Sequence, residues 1–258
     1  MKTVILAGGF GTRLSEETGI RPKPMVEVGG KPMLWHIMKT YSHWGINDFI
    51  ICCGYKSHYI KDYFANYHLQ QADITFDLGT HTQKVLRNGS ENWRVTLIET
   101  GEDSMTGGRL KRVKEYVGNE TFCFTYGDGV TDLNIRKLIE FHKAQKAAAT
   151  MTAVQPPGRF GAFTMSEDQT KIMSFHEKPR GDGAWINGGY FVLEPVVFDY
   201  IEGDASVWEQ EPLKNLAHAG KLAAYKHSGY WQNMDTLRDK MSLDKLWNEN
   251  KALWKVWK

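Results

Sequence analysis

The sequence predicts a Rossmann-like, doubly wound α/β fold with a mixed, mostly parallel sheet and small β elements added in the second half. Three observations carry that expectation. Short continuous apolar runs, of the kind found in strands covered on both faces, alternate with stretches whose apolar residues recur at helical spacing. The helical stretches run to about ten residues, the length a parallel crossover uses. The first apolar run ends in a glycine-rich loop, at the edge where open α/β sheets place ligands.

The elements follow in order. Thr3 to Ala7 reads as the first buried strand. Gly29-Gly30 makes a turn, and Pro32 stands where a first helical residue is favoured. Met33, Leu34, Ile37, Met38, Tyr41 and Trp44 then repeat at helical spacing up to Gly45, a C-terminal cap. Phe49 to Cys53 is the next strand, and a helix carrying Ile60, Tyr63, Phe64 and Tyr67 follows. Gln70 to Trp93 is polar and weakly patterned. Val95 to Glu99 reads as a strand, Leu110, Val113, Tyr116 and Val117 mark a helix, and Thr121 to Tyr126 is another strand. Ile135, Leu138, Ile139 and His142 give a further helix before a strand at Ala148 to Gln155. The second half is richer in strands, at Gly161 to Met165, Ile172 to Glu177 and Ala184 to Leu193. Helices are expected from Ser206 to Ala219 and from Thr236 to Asn248. With no repeat, linker or low-complexity tract, one domain over residues 1–258 is the economical reading.

Composition narrows the function classes. The chain is 41% hydrophobic and 24% charged, ordinary for a soluble enzyme or binding domain, which excludes disorder and collagen-like repeats. A net charge of +2 offers no field for nucleic acid or acidic membranes. No apolar run reaches the ~18 residues of a membrane helix, and the opening run is broken by Gly8-Gly9 too soon for a signal peptide. Three cysteines, two of them adjacent (Cys52, Cys53 and Cys123), read as buried reduced thiols of a cytoplasmic protein.

The chemistry begins at Leu6-Ala7-Gly8-Gly9-Phe10-Gly11-Thr12-Arg13-Leu14. Glycines let backbone N–H groups approach a phosphate, and Thr12 and Arg13 add donors. Leu14 excludes the dinucleotide fingerprint, which needs glycine or alanine there. Met25 and Pro32 exclude a P-loop ending at Gly30-Lys31. Downstream, Pro22-Lys23-Pro24 holds a lysine in rigid backbone, which suits neutralisation of an oligophosphate. Asp128 sits in a Gly-Asp-Gly turn at the end of a buried strand, a placement that exposes a carboxylate at the sheet's carboxyl edge.

The glycine loop followed by Pro22-Lys23-Pro24 resembles the signature of the sugar-1-phosphate nucleotidylyltransferases. Within them the chain, from Met1 to about Trp257, is similar to the cytidylyltransferases that act on glucose 1-phosphate. The supporting stretches are Gly29 to Pro32, Thr100 to Arg109, Thr125 to Gly129, Trp185 to Gly189 and Tyr230 to Thr236. Asn233 departs from the pattern, where proline is expected, and bears on the local loop conformation.

The resemblance implies the roles. Leu6, Ala7, Gly8, Gly9, Gly11, Thr12, Arg13 and Lys23 would bind the nucleotide, with Arg13 and Lys23 stabilising the triphosphate charge in the reaction. Asp128 and Asp235 would hold Mg²⁺. Gly161, Glu177, Lys178 and Asn187 would bind the sugar phosphate, Lys178 through its charge. Ser104 and Arg109 would meet the base; arginine only donates, so it favours the bare O2 and N3 of cytosine. Residues 1–130 would then be mainly the nucleotide half, and 131–258 mainly the sugar-phosphate half with a C-terminal helix. The implied substrates are CTP and glucose 1-phosphate, the implied product CDP-glucose for surface polysaccharide, and the implied assembly a homohexamer. No nucleic acid or membrane partner is expected. UTP or dTTP as donor is the nearest alternative. A nucleotide-sensing or assembly subunit without catalysis is another, but such relatives would be expected to lose Arg13, Lys23 or a metal carboxylate. The tryptophan-rich tail (Trp247, Trp254 and Trp257) fits a subunit interface or packing onto its own domain equally well.

Overall fold

The computed structural model describes residues 1–156, 162–177 and 184–258. In chain order its strands are β1 Lys2–Leu6, β2 Glu27–Val28, β3 Lys31–Pro32, β4 Asp48–Cys53, β5 Ala72–Asp77, β6 Thr82–Asn88, β7 Arg94–Glu99, β8 Phe122–Tyr126, β9 Gly129–Thr131, β10 Ala149–Val154, β11 Ala162–Met165, β12 Ile172–His176, β13 Ile186–Leu193, β14 Leu222–His227 and β15 Trp231–Asn233. The helices are α1 Ser15–Thr18, α2 Met33–His43, α3 Ser57–Ala65, α4 Tyr67–Gln71, α5 Thr106–Arg112, α6 Lys114–Val117, α7 Ile135–Gln145, α8 Glu211–His218 and α9 Leu237–Asn248.

Seven strands form the central sheet in the order β14-β10-β13-β8-β1-β4-β7. All run parallel except β13, which is antiparallel to both β8 and β10. From β1 the chain winds outward through β4 and β7, then returns to pair β8 on the other side of β1. That reversal opens a crevice past the carboxyl ends of β1 and β8, the place where such sheets bind ligands.

Alternate residues of β1 face opposite sides of the sheet, so each side carries its own core. Ile5 packs with Leu34, Ile37 and Met38 of α2, with Leu138 of α7 and with Leu243 of α9. Val4 and Leu6 pack with Leu110 of α5, Val117 of α6 and Leu216 of α8. Each such side chain contributes roughly 1.5–3 kcal/mol on burial. Phe124, fully buried between Phe191 and Trp208, is the kind of residue whose truncation to alanine costs about 3–5 kcal/mol.

Several elements differ from the sequence expectation for physical reasons. The expected helix from Ser206 begins only at Glu211, because Trp208 turns fully into the core and Pro212 suits only a first helical turn. The expected helix through Leu110 and Val117 is two, α5 and α6, parted at Val113. Gln70 to Trp93 contains the end of α4 and the hairpin β5–β6, whose strands are mostly exposed on both faces and so show no two-residue alternation. The three-residue β9 and β15 carry too few residues to announce themselves, and the six-residue β14 was not expected. Trp254 and Trp257 pack onto α2 of their own chain, and Trp254 Nε1 donates to His36 Nδ1 at 3.3 Å. The three cysteines are buried and free.

Candidate active site

A cleft of about 910 Å³ opens where β1 and β8 end, within the range of small-molecule sites. Leu6, Ala7, Gly9, Gly11, Thr12, Arg13, Lys23, Ser104, Arg109, Asp128, Asn187 and Asp235 all line it. Residues from distant parts of the chain therefore meet at one cleft, with Gly8 not among those lining it. Gly161 and Lys178 lie outside the described residues, and Glu177, just past β12, is not among the described residues lining the cleft.

Two glycines make the close approaches. A Cβ on Gly127 would stand 2.3 Å from the Leu6 carbonyl oxygen and 2.8 Å from Pro24 Cγ. Only glycine lets the turn after β8 lie against β1, and that contact carries Asp128 to Lys23. A Cβ on Gly8 would fall 2.0 Å from Arg109 Nη1, so the glycine loop is the floor on which that guanidinium rests.

Lys23 begins a short 3-10 turn, Lys23–Met25, entered from extended Pro22. Its Nζ donates to Asp128 Oδ2 at 2.7 Å and to Asp235 Oδ1 at 2.5 Å. Burial opposes its charge, but the two carboxylates outweigh that and raise its pKa. Burial likewise opposes ionisation of Asp235, yet Lys23 and Arg13 hold its pKa below the ordinary value. Arg13 Nη1 reaches Asp235 Oδ2 at 3.1 Å from a side chain that is 77% exposed, a tether easily released to a ligand. Asp235 itself sits just before α9, where Thr236 and Asp239 form a capping box and Asp239 also accepts from the Asp235 N–H.

Two carboxylate oxygens thus converge on one cationic point at the cleft wall. Among the described residues no group of three or more His, Cys, Asp or Glu side chains is arranged to hold a metal. The pair fits a hard divalent cation that takes its other ligands from water and phosphate oxygens.

Arg109 is 4% exposed, in the second turn of α5, and not at a solvated helix start. Its Nη1 donates to Thr100 Oγ1 at 3.0 Å and to the Gly101 carbonyl at 2.6 Å, and its Nη2 to the Glu102 carbonyl at 2.8 Å. Burial lowers its pKa without discharging it. By count, its Nε–H and one Nη2 hydrogen have no acceptor among the described residues. Asn187 is anchored by the Gly189 N–H to its Oδ1 at 2.8 Å and by its own Nδ2 to Tyr126 Oη at 3.1 Å.

Sequence reasoning missed Thr106, Tyr126, Glu209, Trp231 and Asn233, which also line the cleft or its rim. Thr106 Oγ1 donates to Glu209 Oε2 at 2.7 Å, and the Tyr126 hydroxyl, its pKa raised by burial and by Glu209, donates to the same carboxylate. Tyr126 was legible only as the neighbour of Asp128. Glu209 carried no signal, because the expected helix from Ser206 placed it on a helix face.

The described arrangement bears comparison with known proteins. A family model described as nucleotidyl transferase matches residues 2–251. The chain is 61% identical over 258 residues to glucose-1-phosphate cytidylyltransferase of Salmonella typhi, covering all of both chains. It is 30% identical over 248 residues to mannose-1-phosphate guanyltransferase of Yarrowia lipolytica, covering 94% of this chain and 62% of that one. The crystal structure of HddC from Yersinia pseudotuberculosis superposes with a TM-score of 0.70 at 26% identity, covering 95% of this chain and 99% of that one.

Proposed function

This chain belongs to the nucleotidyl transferase family, and from that premise we propose that it transfers a cytidylyl group from CTP to α-D-glucose 1-phosphate, forming CDP-glucose and pyrophosphate. The observation that carries this reading is 61% identity over the full length to a glucose-1-phosphate cytidylyltransferase, joined to a cleft in which Lys23, Asp128 and Asp235 meet beside the glycine loop. An oxygen of the sugar phosphate attacks the α-phosphorus of CTP. A new P–O bond forms, the bond to the bridging oxygen breaks, and pyrophosphate leaves with that electron pair. Both reactants are anions, so the work is neutralisation and alignment.

The backbone from Leu6 to Thr12 lies along the triphosphate path, with Arg13 and Lys23 supplying positive charge. Arg109 offers its two remaining donors to cytosine O2 and N3, assisted by Ser104. Uracil and thymine present an N3–H there, which arginine cannot accept. Asn187, Glu177, Lys178 and Gly161 address the sugar phosphate. Asp128 and Asp235 would hold a divalent cation, Mg²⁺ in this reading, which would screen phosphate charge. Residues 1–130 serve mainly the nucleotide and 131–258 mainly the sugar phosphate. Phe76, Leu78, Val85 and Leu86, exposed on β5–β6, support a homo-oligomer, a hexamer in this reading. The buried free thiols suit a reducing, cytoplasmic setting. Among the described residues no helix is long and apolar enough to cross a membrane.

Pyrophosphate release with glucose 1-phosphate and Mg²⁺, run in parallel with CTP, UTP and dTTP, tests the reading. Release with CTP alone is expected. Release chiefly with UTP or dTTP would overturn the base assignment, and silence with all three would overturn the reaction.

A further inference from the structure

Asn233 stands where the family pattern leads one to expect proline. It lies on β15 opposite Gly129 of β9. The bonds from Asp132 N to Tyr230 O at 3.2 Å and from Met234 N to Asp128 O at 2.8 Å mark the bonded pairs of this antiparallel ladder. Bonded and non-bonded pairs alternate, so Gln232–Val130 is the bonded pair between them and the Asn233 N–H points away from the ladder. Nothing in the main chain requires asparagine here.

The side chain has a definite partner. Asn233 Nδ2 donates to Asp235 Oδ2 at 2.6 Å. Only the amide's NH₂ end can face a carboxylate oxygen at that distance. With Arg13 also on Oδ2 and Lys23 on Oδ1, the plane of the Asp235 carboxylate is set from both sides. The two holders of Oδ2 differ in kind. Arg13 reaches in from an exposed side chain on the glycine loop proposed to serve the triphosphate, so no other described residue fixes it on Asp235. Asn233 is a neutral donor on a short, ladder-fixed segment. It holds the carboxylate's orientation without cancelling the charge that a cation would bind.

We propose that Asn233 is a positioning residue that fixes Asp235 Oδ2 and so presents Asp235 Oδ1, beside Asp128 Oδ2, to a divalent cation. The inference rests on the reading of Asp128 and Asp235 as the cation's carboxylates. Groups that orient metal ligands by hydrogen bonding change affinity by about 10–100-fold when removed.

The test uses the full-length protein and its Asn233→Ala and Asn233→Pro variants, titrated with Mn²⁺ in the presence of CTP and absence of sugar phosphate, with free Mn²⁺ read by electron paramagnetic resonance. Proline preserves the ladder because the amide hydrogen is unused, which guards against a folding defect in the alanine variant. Both variants are expected to bind Mn²⁺ at least about 10-fold more weakly. Unfolding temperature and metal-free CTP affinity are expected to stay at wild-type values, and the KM for metal to rise more than kcat falls. Folded variants that bind Mn²⁺ within about twofold of wild type would overturn the role of Asn233 while leaving the carboxylate pair standing. A wild-type protein that retains no Mn²⁺ would overturn the carboxylate reading, and this one with it.

Discussion

Replacing Lys23 by methionine tests the centre of the site most directly. The substitution keeps the unbranched stem, which runs under Gly11, and removes only the ammonium. In the wild type the Lys23 side chain is 13% exposed and its ammonium bridges two carboxylates at 2.7 and 2.5 Å. At an effective dielectric constant near 20, unit charges about 4 Å apart interact by about 4 kcal/mol, so each pair is strongly felt before desolvation is counted. Aimed at a triphosphate, one such stabiliser is worth about 10²–10³ in turnover, or ~3–4 kcal/mol of barrier. Steady-state pyrophosphate release at saturating CTP, glucose 1-phosphate and Mg²⁺ should therefore fall at least about 100-fold. Nucleotide-free Mn²⁺ binding should move the other way and tighten, because the lysine no longer competes for Asp128 Oδ2 and Asp235 Oδ1. Turnover within about fivefold of wild type would remove Lys23 from charge neutralisation. Unchanged or weaker Mn²⁺ binding would show that the ammonium and a cation do not share those oxygens.

Asp128→Asn is isosteric and leaves Lys23 with one anionic partner; turnover should drop at least about 10²-fold in the same assay, and near-normal turnover would exclude a metal-holding carboxylate there. Gly8→Ala would place a methyl 2.0 Å from Arg109 Nη1 and displace a guanidinium that cannot retreat from its carbonyl partners, so KM for CTP should rise about tenfold or more, the size of one displaced hydrogen bond to a charged group, in a protein that still unfolds cooperatively. His36 is fully buried, with Nε2 on the Val28 carbonyl and Nδ1 accepting from Trp254, and burial pushes its pKa down to about 4. The unfolded state then takes the proton first, so stability is complete above about pH 6.5 and declines towards pH 4, by up to ~3 kcal/mol. Urea midpoints at pH 7.5 and 5 should show that decline in wild type and a much smaller one in His36→Gln; parallel declines would exonerate the histidine.

The electrostatic design at the cleft follows from these contacts. Asp128 and Asp235 each have a cation or amide on them, so these two do not face the cleft as a bare like-charge pair. The groups that satisfy the carboxylates differ in mobility. Asn233 and the capping box at α9 are fixed to short ordered segments, whereas Arg13 reaches in from an exposed loop. Release of Arg13 from Asp235 would therefore need little reorganisation of the sheet.

The amino-acid order by itself determined the alternation of buried strands and amphipathic helices, because covered strands and one-sided helices impose periods that survive in any single window. It also determined the chemistry of the glycine loop, the Pro-Lys-Pro segment and the Gly-Asp-Gly turn, where local backbone demands fix the residue type. It could not show that Lys23 lies between Asp128 and Asp235, since those three residues are joined only by the return of the chain across β1 to β8 and by the pairing of β15 with β9. Glu209 stayed invisible for the same reason, being an ordinary residue until Tyr126 at the end of β8 and Thr106 of α5 meet it in the turn before α8. Asn233 stood out as an unusual residue, but its hydrogen bond to Asp235 exists only in the folded link between β15 and α9. The hairpin β5–β6 eluded sequence reading because, with little burial on either face, no period is written into it. Local periods and turn chemistry are properties of neighbours in the chain; distances of 2.5–2.7 Å between groups more than a hundred positions apart are properties of the closed sheet alone.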